Sequence, residues 1–232
     1  MLFLNNNYAV MDISTKDAAL RLQVSPQRVL VMLRDGQLTG RKVGSTWLVD
    51  EASVTARVAL NASAGPPWTT KTTMRILDAL SDQRPLAPRE RALVQRLEPI
   101  DLATKIAQAT TVRRYTTRWM EDVPSHLELT GESAIDRITP EPWQKLHVSF
   151  HAVHGYLRDA ENLHLVERAA RMVPDSEGAV FVYAFKGASF PWTRTPVALV
   201  ATDCVRSTST RVRSTGLTAL REMREQWLQS IG

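Results

Sequence analysis

Ile13-Ser14-Thr15-Lys16-Asp17-Ala18-Ala19-Leu20-Arg21-Leu22-Gln23-Val24-Ser25-Pro26-Gln27-Arg28-Val29 is the stretch whose pattern decides the fold. Ser14 is placed to cap a helix, and Asp17 stands at its third position, the capping-box spacing with Asp in place of Glu. Ala18, Ala19 and Leu22 then share one apolar face. Gln23-Val24 interrupts the run. Ser25-Pro26 restarts it, because Ser caps and Pro fits the first helical turn. Val29, Met32 and Leu33 repeat the i, i+3, i+4 stripe, and Gly36 supplies a C-terminal glycine.

Outward from these two short helices, residues 38–43 and 46–49 read as extended segments, with Gly44-Ser45 between them as a tight hairpin turn. Glu51-Ala52-Ser53-Val54 starts a third helix. Helix, turn, helix and hairpin, together with Asp35-Gly36-Gln37-Leu38 and Arg41-Lys42-Val43-Gly44-Ser45-Thr46-Trp47-Leu48-Val49, resemble the MerR/excisionase-type winged helix-turn-helix over about 45 residues. The resemblance implies that the second helix enters the major groove of double-stranded DNA. Ser25, Gln27 and Arg28 then form its exposed N-terminal turn. Gln reads adenine and Arg reads guanine through paired hydrogen bonds, and Ser25 with the helix N-terminus can hold a phosphate. Arg41 and Lys42 in the wing face phosphate or the minor groove, with Thr46 as a polar neighbour and Trp47 as a packing anchor. Leu30 and Val31 depart from the family by being apolar where it carries polar or basic side chains.

The charge distribution points the same way. The chain has 232 residues and a formal net charge of +5. That charge divides as +2 over residues 11–70, +5 over 71–120 and −2 thereafter. A basic first half fits an anionic partner such as nucleic acid. Arginine outnumbers lysine 23 to 6, and arginine makes forked contacts to phosphate and guanine. In 113–119, Arg113, Arg114 and Arg118 alternate with Tyr115 and Trp119, so Arg113 and Arg114 are a candidate second phosphate contact.

Asn61-Ala62-Ser63-Ala64-Gly65-Pro66-Pro67 is Pro/Gly-rich and reads as a linker. The organisation expected is a DNA-binding unit over 11–58, a linker over 59–71, a basic helical region over 72–124 and an α/β domain over 125–232 for dimerisation, DNA or partner contact. The fold class is α+β, a winged helix-turn-helix followed by a larger mixed α/β region. Helical spacing marks 73–80, 88–97 and 102–115; strands are expected at 127–129, 146–152 and 179–185; helices at 157–171, 196–205 and 211–228.

Several chemistries are disfavoured. Cys204 is a lone cysteine, which leaves no intramolecular disulfide and no Cys-pair zinc site, and it points to a reducing, cytoplasmic setting. The N-terminal segment lacks a secretory pattern, and no apolar run is long enough for a membrane span. His147 and His151 fall on the polar face of a strand pattern rather than on one face of a helix. Pro174-Asp175 before a strand that ends at Lys186 invites comparison with PD-(D/E)xK nucleases, but Ala184 occupies the position of the second carboxylate that a metal needs. No P-loop, GxSxG or GxGxxG motif is present. No cofactor and no catalytic residue is assigned, and the chain reads as a non-enzyme.

The segments after the linker resemble the AbiEi-type antitoxins and related bacterial regulators. The residues that carry this are Leu127-Glu128-Leu129-Thr130-Gly131-Glu132-Ser133-Ala134, Val153-His154-Gly155-Tyr156-Leu157, Leu165-Val166, Val173-Pro174-Asp175-Ser176-Glu177-Gly178-Ala179-Val180, Pro191-Trp192 and the last helix, where Gly216 permits close packing. The resemblance implies a DNA-binding autorepressor, acting on an operator as a homodimer and, in type IV systems, opposing a nucleotidyltransferase toxin. The excisionase-like head leaves a second class open, an architectural factor that bends DNA.

Overall fold

The computed structural model describes residues 12–34, 38–61, 67–139 and 152–230. Gly36, residues 62–66 of the linker, and His147 and His151 with the strand expected around them lie outside the described residues. The chain is α+β, with two sheets among the described residues.

The N-terminal module comprises β1 (Asp12–Ser14), α1 (Thr15–Leu22), α2 (Pro26–Arg34), β2 (Gly40–Val43), β3 (Thr46–Asp50) and α3 (Glu51–Asn61). Ser14 caps α1 by accepting the Asp17 amide, and its hydroxyl donates to the Asp17 carboxylate at 2.7 Å. Gln23 ends α1 in the left-handed region (φ 55°) and returns its N–H to Ala19. The three strands form an antiparallel sheet in the order β1-β3-β2. The β2–β3 turn needs a positive φ at Gly44 (61°), a conformation that glycine adopts without steric cost. Ala18, Ala19, Leu22, Val29, Met32, Leu33, Leu38, Val49 and Val54 make a core of their own.

The rest of the chain builds a five-stranded sheet in the order β5-β6-β8-β4-β7. Its strands are β4 (Thr110–Thr116), β5 (Glu128–Leu129), β6 (Val153–Tyr156), β7 (Val173–Pro174) and β8 (Val180–Phe185). β6 and β8 are parallel and every other pairing is antiparallel. Helices α4 (Thr70–Asp82), α5 (Pro88–Arg96), α6 (Pro99–Gln108), α8 (Val197–Val205) and α9 (Thr210–Ser230) share one core with one face of this sheet, through Val112, Tyr156, Tyr183 and Phe185. Residues 72–112 are thus in the same core as the C-terminal helices. The short α7 (Leu163–Ala169) lies on the opposite face, over Tyr115, Val153, Val180 and Val182.

One expected helix is wrong in its second half. The spacing predicts a helix over 102–115, but α6 stops at Gln108 and Thr110-Thr111-Val112 opens β4. Three consecutive β-branched residues disfavour helix and fit a pleated strand. The buried residues also switch from helical spacing to the alternation Thr110, Val112 at that point. The basic pair Arg113-Arg114 therefore sits on a strand, and its two side chains leave on opposite faces. The helix expected over 157–171 is reduced to a 3-10 turn and the seven residues of α7.

Candidate nucleic-acid interface and the crevice beneath it

The first turn of α2 presents Ser25, Gln27 and Arg28 to solvent. The Ser25 hydroxyl oxygen accepts the Arg28 amide at 3.2 Å, so the residue caps the helix and keeps its O–H free to donate. Leu30, apolar against the family pattern, is half-buried against the module's core.

On the hairpin, Arg41 donates through Nε (3.0 Å) and Nη2 (2.7 Å) to Asp12, tying β2 to β1 across the central strand. Such an exposed pair is worth about 0–1 kcal/mol, so it positions the guanidinium without locking it. Lys42 and Thr46 are exposed beside the turn. Trp47 packs against the module's core.

Arg113 and Arg114 take different environments. Arg113 is exposed and lines a cleft of about 600 Å³ with Arg34, Trp47 and Asp175. Arg114 is turned inward. Its Nε donates to the Gly178 carbonyl (3.0 Å), its Nη1 to Thr39 Oγ1 (3.3 Å), and its guanidinium lies 4.7 Å from the centre of the Phe181 ring. Arg114 thus fastens the N-terminal module to the sheet.

Beneath the module lies a buried polar network that the candidate residues did not include. The strand register aligns His154, Phe181 and Arg114 in one row across β6, β8 and β4, with Tyr156, Tyr183 and Val112 in the next. His154 stacks on Phe181 at 4.2 Å, and its Nδ1 is 3.1 Å from the Tyr183 hydroxyl. Burial first, then Arg206 and Arg114, push the His154 pKa down to about 3, so the ring is neutral. Asp203, on α8, accepts from Thr130 Oγ1 (2.8 Å), the Tyr156 hydroxyl (3.4 Å) and Arg206 (3.2 Å). Arg206 also donates to Thr110 Oγ1 at 3.1 Å and lies over the Tyr183 ring. Burial raises the Asp203 carboxyl above its usual range against the pull of Arg206. One sequence signal points here: Asp203 interrupts a largely apolar helix, Val197 to Val205, and a carboxylate so placed requires buried partners.

Two cavities lie where the module meets this surface. One, of about 260 Å³, is lined among others by Thr39, Arg57, Arg114, His154, Asp203 and Arg206. The other, of about 270 Å³, is lined by Arg28, Arg57, Gln108, Thr110, Lys186 and Arg206, among others. Arg28 of α2 therefore faces solvent and this second cavity at once.

Other reactive groups have structural partners or are buried. Cys204 is buried in α8, and burial pushes its thiol pKa up. Asp175 and Lys186 lie beyond opposite ends of β8. The Asp175 carboxylate accepts the Glu177 amide, and Lys186 Nζ donates to the Gln108 carbonyl at 2.6 Å. Among the described residues no group of three or more His, Cys, Asp or Glu is placed to hold a metal ion, and no helix is long and apolar enough to cross a membrane. Set against known proteins, the chain matches no family profile, no curated sequence and no solved structure.

Proposed function

We propose that the chain is a sequence-specific DNA-binding transcriptional regulator whose reading head is the N-terminal module, a winged helix-turn-helix. The observation that carries this is the exposed first turn of α2, with Ser25, Gln27 and Arg28, beside a hairpin whose tip exposes Lys42 and Thr46. A capped helix N-terminus with Gln and Arg is suited to base edges, and a basic hairpin to the flanking phosphates. Arg113 adds an exposed cation in the cleft it shares with Arg34, which Glu167 and Asp175 also line. Arg114 is withdrawn from the contact set, because its donors hold the module in place.

The likeness of the C-terminal sequence to AbiEi-type antitoxins supports autorepression from an operator bound by a homodimer. It also supports pairing with a toxin encoded beside the chain.

An electrophoretic shift on the DNA upstream of the chain's own gene tests the reading. Binding tighter there than on random DNA of equal length supports it; equal binding defeats sequence specificity. Arg28→Ala should cost about 1–3 kcal/mol at the operator and relax the preference at one base position. An equal loss on every sequence would assign Arg28 to phosphate instead.

A further inference from the structure

We propose that the crevice between the N-terminal module and the sheet is a site for a small phosphate-bearing ligand, held by Arg28, Arg57, Lys186 and Arg206, whose occupancy competes with DNA for Arg28. The competition rests on the DNA-binding reading; the site does not.

Four cations reach this cavity of about 270 Å³ from four separate places: the first turn of α2, α3, the end of β8 and the C-terminal cap of α8. No acidic residue is among the described residues that line it; Asp203 pairs with Arg206 from outside that lining. The cost of that arrangement is visible. Burial, then Arg206 and Arg28, lower the Arg57 pKa to about 10, and Lys186 is lowered by burial and by Arg57, Arg206 and Arg28. Like charges gathered in a half-enclosed site repel, and an anion among them relieves that repulsion.

The hydrogen-bonding groups fit the same occupant. Arg206 is held rigidly, its side chain only 14% exposed, with Nη1 engaged by Thr110 and Asp203. Its Nε and Nη2 make no hydrogen bond among the described residues, which leaves an oriented fork of donors. The Gln108 side-chain oxygen is buried without a partner at the same cavity. Rotating that amide by half a turn is sterically neutral and presents its NH₂ to the site instead.

The recess selects a small molecule rather than a duplex. A DNA backbone is reached by side chains projecting from the surface, whereas the Arg206 side chain is nearly buried. The volume is at the small end of ligand pockets. It suits a phosphate or diphosphate group, and the neighbouring cavity, which shares Arg57 and Arg206, has room for the remainder of an ester.

Pyrophosphate titrated into the full chain by calorimetry, at constant ionic strength set with chloride, is the test. One saturable site is expected. Lys186→Gln and Arg28→Gln, both at exposed positions, should each weaken it at least tenfold, and Lys186→Arg should restore it. Arg89→Gln, an exposed cation on α5 away from the crevice, should leave it unchanged. Absence of binding beyond the chloride control, or equal weakening by Arg89→Gln, overturns the site. Saturating pyrophosphate should also raise the Kd for promoter DNA; an unchanged Kd overturns the competition. A chain that binds pyrophosphate but shows no promoter preference breaks the DNA reading and leaves the site standing. Promoter binding without pyrophosphate binding does the reverse.

Discussion

Arg21, Arg28, Arg34, Arg41 and Lys42 of the N-terminal module all lie at the surface, over a small core of aliphatic side chains. From α4 onward the chain behaves differently. Glu90, Lys105, His154 and Asp203 are buried, and Arg206 nearly so. The module gains its shape from local devices: a capped helix, a left-handed cap residue and a glycine turn. Its charges stay at the surface, two of them in exposed ion pairs, Arg21 with Glu51 and Arg41 with Asp12. The larger region holds charges in fixed geometry, where each depends on neighbours far away in sequence. Surface charge tolerates change and buried charge does not, so the two regions should respond in opposite ways to mutation.

The largest effect is expected at Asp203. Replacing it with alanine leaves Arg206 without its carboxylate in a nearly closed site, and removes the acceptor of Thr130 and Tyr156. Breaking a buried pair from one side costs about 3–5 kcal/mol, measurable by urea unfolding. A loss below about 1 kcal/mol would mean that solvent reaches the network freely, and the contrast between the two regions would fail.

Gly216→Ala comes next. A Cβ there would stand 2.5 Å from the Ala201 carbonyl oxygen and 2.8 Å from Cys204 Cβ, so α8 and α9 would have to separate. Overpacking of this kind costs about 1–3 kcal/mol. A neutral substitution would show that the α8–α9 contact is slack.

How much of this was legible in the sequence follows the same division. Ser14, Gln23, Ser25-Pro26 and Gly44 act on residues within four positions, and each of these signals describes the local structure that forms. The limits of α5 and α8 were legible for the same reason, whereas α4 starts at Thr70, inside the expected linker over 59–71, and α9 runs on to Ser230. β4 was misread because Leu102 to Ile106 and Thr110 to Tyr115 both place apolar residues at plausible helical spacing. Only pairing with β8, about seventy residues away, decides the second half. The network was missed because His154, Tyr183 and Asp203 lie on β6, β8 and α8, and no local pattern brings them together. Arg114 looked like a phosphate contact for as long as Thr39 and Gly178 were not known to be its neighbours.

The pH dependence of stability sharpens the comparison from the buried side. Folded, His154 titrates at about 3; unfolded, it returns to its ordinary value near 6.5. Between these values the unfolded chain binds a proton that the folded chain refuses. This one group therefore makes stability fall as pH drops from about 6.5 toward 3, with a slope of at most about 1.4 kcal/mol per pH unit, and adds no pH dependence above 6.5. Asp203, whose carboxyl is raised on folding, acts in the opposite sense. The readout is thus the difference between wild type and His154→Gln across pH 4–7. That difference should shrink as pH falls, because the variant lacks the titration; a difference independent of pH would mean that the ring titrates alike in the folded and unfolded chains.

Lys42→Ala is the smallest expected change in stability and the sharpest separation of the two regions. The side chain projects from the hairpin into solvent and pairs with no described carboxylate. Its removal should move unfolding by no more than about 0.5 kcal/mol. If the wing lies along DNA, the same substitution removes one phosphate contact. Affinity then falls by a similar factor on every sequence, and the slope of log K against log salt becomes shallower by about one. A loss confined to the operator would make Lys42 a base-reading residue and move part of the specificity from α2 to the wing. An unchanged salt slope would place the wing away from the phosphates and leave the first turn of α2 as the module's contact surface. Asp203→Ala, by contrast, should lower stability first and DNA affinity only as the folded fraction falls, so the two variants measured together distinguish a charge that serves the fold from one that serves a partner.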